Sequence, residues 1–161
     1  MLGLTAFGIV HTLVSLVALA AGLIALLRGG AITLDGALGK VYWLTTFVTA
    51  ATGLGIFQHG GFGKPHILSI LTIATLLLAL TAGRTALFGR FSRHVEVVGY
   101  SATFLFHLIP GITETTTRLP FGAPLFANAD APALQTIAGV LAVLFLIGAG
   151  LQLSRLRVAS T

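Results

Sequence analysis

The stretch SATFLFHLIPGITETTTRLP, residues 101–120, decides the fold. It opens apolar and then sets His107, Pro110, Gly111, Glu114 and Arg118 into what reads as a membrane helix. Extended upstream, Glu96, Tyr100, Thr103, His107, Gly111, Glu114 and Arg118 recur at steps of three and four. That spacing lines one face of a helix. Phe104, Leu105, Leu108, Ile109 and Ile112 fall mainly on other faces.

The remainder of the chain explains why such a helix calls for a membrane reading. Of 161 residues, 56% are hydrophobic, and nine basic plus four acidic residues carry all the fixed charge. Mean hydropathy is +1.02. A soluble domain of this length needs a charged surface that these residues cannot cover. The expected class is all-α integral membrane. The basic balance does not imply nucleic acid, because there is no basic run and the cations sit near helix ends. Cysteine is absent, which excludes disulfides, thiolate metal sites and cysteine nucleophiles. Neither a GxSxG nor a phosphate-binding glycine loop is present.

Five apolar segments are expected, at about 5–27, 38–58, 66–87, 95–119 and 134–156. Each is near the ~20 residues that cross ~30 Å of hydrocarbon. RGGAITLDG, HGGFGKP, GRFSR and PFGAPLFANADAP separate them, the last reading as a surface loop. The first segment lacks a positive n-region and is longer than a signal h-region, so it reads as a retained helix. Five crossings put seven Lys and Arg residues on one side and only Lys64 and Arg118 on the other. The positive-inside rule then places the N-terminus outside and the C-terminus in the cytoplasm of a bacterial inner membrane.

Helices 1–4 are expected to enclose a polar interior, with helix 5 peripheral. Their matching faces are Gly8/His11/Ser15/Ala18/Gly22, Tyr42/Thr45/Thr49/Thr52 and His66/Ser69/Thr72. For Ser, Thr and Gly the plain reading is close packing and weak interhelical bonds of ~0.6–2 kcal/mol. His107 and Glu114 ask for more, since an ionisable residue within a span costs about 2.5–3.5 kcal/mol on insertion scales.

Three functional readings follow. The first is a b-type haem held by His11 and His107 at matched depth, with Gly8 and Gly111 making room. Arg118, Lys64, His59 and His66 would then meet the propionates. The second is a His/Glu transition-metal site drawn from His11, His107, His66, His59 and Glu114. The third is a proton or quinone path along Glu96, Tyr100, Thr103, His107 and Glu114. Haem-based electron transfer linked to quinone leads. The alternatives are a cofactor-free accessory subunit of a larger membrane complex and a metal or proton transporter. The plainest alternative is structural: His107 bonded to helix 1, Glu114 paired with Arg118, and Pro110 a kink.

The order of marks resembles an uncharacterised bacterial family of small membrane proteins. FGIVHTLVSLVALAAGLIALLRGG carries His11 and Gly22, GALGKVYWLTTFVTAATGLGIF carries Gly39 and Tyr42, and RHVEVVGYSATFLFH opens on Arg93 and His94. The resemblance covers about residues 6–118 and departs from the pattern at LDGALG and at Glu114. It implies a helical membrane fold in a redox or assembly setting and supplies no activity.

Overall fold

The computed structural model describes residues 5–57 and 61–158. Among them five α-helices and no strand occur: α1 (Ala6–Gly29), α2 (Ala37–Gly53), α3 (Lys64–Arg84), α4 (Ser92–Arg118) and α5 (Pro132–Val158). A 3-10 turn at Gly89–Phe91 leads into α4. Four segments are long and apolar enough to cross a membrane: α1, α3, Gly89–Arg118 and α5.

The ends follow local chemistry. Thr5 caps α1 by accepting the Gly8 N–H at 3.1 Å, and Gly30 ends it at φ +71°, a conformation glycine adopts without strain. Pro65 sits in the first turn of α3, where its missing N–H costs nothing. The one marked departure from the sequence expectation is α2. It stops at Gly53 rather than running on to residue 58, and Gln58 lies outside the described residues. Gly53 and Gly55 bracket the stop, and glycine is the weakest ordinary helix former. At 17 residues α2 is ~26 Å long, the lower limit for a span.

Contacts fix the arrangement. His11 meets Thr52, and Gly22 lies against Tyr42, so α1 and α2 run antiparallel. Gly99 lies against Ala79 and Gly83 against Glu96, so α3 and α4 do too. α5 packs on α4, where Ser101 Oγ donates to Gln152 Oε1 at 3.0 Å. Gln152 Nε2 in turn donates to the Gly30 carbonyl at 2.8 Å, which brings the ends of α1 and α5 together. One end of the molecule therefore carries the α1–α2 turn, the α3–α4 turn and the last turn of α5. The opposite end carries the start of α1 and the 119–131 loop, which Asp130 ties to Lys64 at 2.9 Å.

The interior is small and polar while the outside is large and apolar. Ala18, Ala21, Thr46, Thr72, Ala79 and Thr103 are buried. Leu13, Leu23, Ile67, Leu144, Leu146 and Ile147 are exposed. Such a surface is far more apolar than a monomer in water tolerates. Across this interior the Tyr42 hydroxyl meets Thr103 Oγ1 at 2.8 Å and donates to the Tyr100 carbonyl at 3.3 Å, joining α2 to α4.

A Cβ on Gly22 would meet the Phe104 and Tyr42 rings at 2.8 Å. Gly22→Ala is expected to lower stability by about 1–3 kcal/mol through overpacking. Gly139→Ala, with nothing within 4 Å, is expected to leave it unchanged or raise it by about 0.5–1 kcal/mol. Unfolding titrations in mixed micelles measure both, and equal midpoints for the two variants would contradict this packing.

Candidate functional site

A cavity of about 260 Å³ lies among α1, α2, α3 and α4, towards the end that carries the 119–131 loop. Gly8, His11, His107, Gly111, Glu114 and Arg118 all line it. Five of these are the residues expected from sequence to surround a haem, and the sixth is the expected carboxylate. Leu16, Leu19, Ile56, Leu68 and Phe106 supply apolar wall, and Thr49, Ser69 and Thr72 supply polar wall. Glu114 is 54% exposed, so the cavity reaches the surface at its level, and Arg118 holds that carboxylate through Nε. The expected Glu114–Arg118 pairing is thus present at the mouth.

His11 is fixed through one ring nitrogen. His11 Nδ1 lies 2.9 Å from Thr52 Oγ1. That hydroxyl has a single proton, which it gives to the Val48 carbonyl at 2.7 Å, with the Thr49 carbonyl at 3.1 Å sharing it. With Thr52 donating to the backbone it accepts from His11, the tautomer in which Nδ1 carries the hydrogen and Nε2 keeps its lone pair. His107 Nε2 is buried and has no hydrogen-bond partner among the described residues. Two imidazoles thus line one cavity, His11 oriented by Thr52 and His107 with its Nε2 unpartnered.

The two rings enter at different levels. α1 begins at Ala6, so His11 is five residues, ~8 Å, inside its helix end, while His107 is eleven residues, ~17 Å, before Arg118. Gly111, one turn outward of His107, already faces Leu19, eight residues past His11. The expected segment ends at residues 5 and 119 already stood six and twelve residues from the two histidines, so matched depth did not follow from those bounds.

The other expected site residues divide. His66 does not line the cavity. Its Nδ1 accepts the Gly63 N–H at 3.2 Å, and its ring packs against Phe57 and Phe62 with centroids at 4.6 and 5.2 Å. Capping α3 occupies the lone pair a metal would use. His59 lies outside the described residues. Among the described residues no group of three or more His, Asp or Glu is placed to hold a metal. Glu96, Tyr100 and Thr103 are all buried on α4, between the cavity and the opposite end.

The sequence pattern missed Thr46. The buried face of α2 is Tyr42, Thr46, Thr49 and Gly53, whereas Thr45 turns its hydroxyl to the Val41 carbonyl at 2.7 Å. Spacing alone leaves Thr45 and Thr46 both one turn from Tyr42. The small Ala50 and Gly53 that continue the Thr46 face were the available signal.

Comparison with known proteins adds no relative. The chain matches no family model, no curated protein and no solved structure. The chemistry has to be argued from the cavity itself.

A buried polar atom kept without a partner costs about 1–3 kcal/mol. His107→Leu is expected to leave stability unchanged or raised, while Tyr42→Phe, which breaks a satisfied bond, lowers it by about 0.5–1.5 kcal/mol. Chemical unfolding in micelles compares the two. A large loss for His107→Leu would make that histidine a packing residue.

Proposed function

We propose that this chain is an integral membrane protein that binds a lipid-soluble quinol at the His11–His107 cavity. The membrane reading is supported by the apolar exterior and small polar interior, the arrangement that lipid as solvent favours. α2 is taken as the fifth crossing, with helices 1–4 around the polar interior and α5 outside them. Clustering of seven of the nine cations at one end supports an inner-membrane orientation with the N-terminus outside and that end cytoplasmic.

The observation that carries the quinol is the bare, buried Nε2 of His107 beside a cavity of about 260 Å³. This volume lies just below the ~300–1,000 Å³ of pockets that enclose drug-sized ligands, and suits one substituted aromatic ring. A lone pair recognises a hydroxyl donor, and a quinol presents two. Leu16, Leu19, Leu68 and Phe106 would pack on the ring, while Glu114 and Arg118 give a polar mouth. Electron transfer would need an acceptor outside the residues described.

A haem b between His11 and His107 is the second reading. It is favoured by two imidazoles from different helices at one cavity, His11 held through one nitrogen. It requires the helices to part, because a porphyrin exceeds the cavity and the two rings stand at different levels.

A short-chain benzoquinol titrated calorimetrically into protein in lipid nanodiscs is expected to bind saturably. His107→Leu weakens binding at least tenfold, the ~1.4 kcal/mol of one hydrogen bond. Absence of saturable binding by the unsubstituted protein, or equal affinity in the variant, would refute the quinol reading. A Soret band in the purified protein that His107→Leu abolishes would replace it with haem.

A further inference from the structure

The path between the cavity and the opposite end is unusual in what it leaves unbonded. Thr46 Oγ1, Thr49 Oγ1, Tyr100 Oη and His107 Nε2 are buried and have no hydrogen-bond partner among the described residues. All four lie on the facing sides of α2 and α4, in residues 0–7% exposed. Each dry orphan costs about 1–3 kcal/mol, and four in one interior exceed what packing explains. Ordered water, with two to four polar partners per molecule, removes that cost.

The spacing suits water. Glu96, Tyr100, Thr103 and His107 follow at about one turn each, a ~5 Å rise. Among the described residues no hydrogen bond joins these four side chains to one another, so a proton moving along them needs bridging water. The Tyr42–Thr103 hydroxyl pair lies midway along the series. At one end stands Glu96, 5% exposed, its carboxylate bonded by Arg93 Nη1 at 2.6 Å. It rests on Gly83 of α3, where a Cβ would come within 2.5 Å. Arg93 is half exposed and also reaches Asp35 at 3.6 Å, which links the buried carboxylate to solvent. At the other end Thr49 and His107 line the cavity, which reaches the surface at Glu114.

We propose that a file of internal water between Glu96 and the His107 cavity conducts protons across the molecule. A proton enters on the Glu96 carboxylate. Each water accepts one proton and passes on another, and one proton leaves through cavity water at the far end. No electron moves and no group is consumed. This goes beyond quinol binding and does not need it; it rests only on the membrane reading.

The test uses the full chain reconstituted in phospholipid vesicles, with a pH dye inside, a potassium gradient and valinomycin, and no quinone added. Flotation with the vesicles checks the membrane reading separately. Proton flux is expected well above protein-free vesicles. Glu96→Gln and Tyr100→Phe each lower it at least tenfold. Tyr100→Phe removes a hydroxyl that bonds nothing, so the variant is expected to fold, and Thr45→Val, off the path, keeps the full rate. Flux no greater than in protein-free vesicles, or rates for Glu96→Gln and Tyr100→Phe equal to the unsubstituted protein, would overturn the proposal.

Discussion

The hydroxyl of Tyr42 holds the interior in register. It meets Thr103 Oγ1 and the Tyr100 carbonyl, both on α4, from a position 0% exposed on α2. Breaking it would leave a phenol oxygen stranded among apolar neighbours, a penalty larger than the bond's own net worth. Once α2 and α4 are locked there, Thr49 and Gly53 fall on the cavity wall and His107 faces the same space. α1 joins by laying Gly22 against the Tyr42 ring and by giving His11 to Thr52. One hydrogen-bonded crossing thus sets where three helices present their functional atoms.

Much of this was legible in the sequence because the driving pattern is coarse. Four of the five helices end within about three residues of where hydropathy and turn residues put them. The stripe from Glu96 to His107 is buried as its period implies. What the pattern could not resolve were choices between adjacent residues. Thr46, not Thr45, faces inward. Gly53 and Gly55 cut α2 short where apolar residues alone suggested continuation. His66 reads as a ligand by type, yet the free N–H groups at the start of α3 claim its Nδ1. The start of α1 was placed to within one residue, but the depths of His11 and His107 were equated although six and twelve residues separate them from the expected ends.

The two ends of α4 treat their carboxylates differently. Glu114 stands exposed at the cavity mouth with Arg118 beside it. Glu96 is buried, held by a half-exposed Arg93. Between them run hydroxyls and an imidazole, several lacking partners. On packing alone Phe would serve at Tyr100, because that hydroxyl secures no neighbour. The proposed roles are ligand binding at one end of this stripe and proton access from the other.

The most direct measurement is the tautomer of His107 in the membrane. Solid-state nitrogen NMR of protein labelled in its histidine rings, assigned by comparison with His107→Leu, reads which nitrogen carries the proton. Hydrogen on Nδ1 with a bare Nε2, the latter shifting when benzoquinol is added, is the result expected from an unpartnered Nε2 at the cavity. Hydrogen on Nε2, or a ring indifferent to added quinol, would contradict the central claim that His107 presents its lone pair to a ligand.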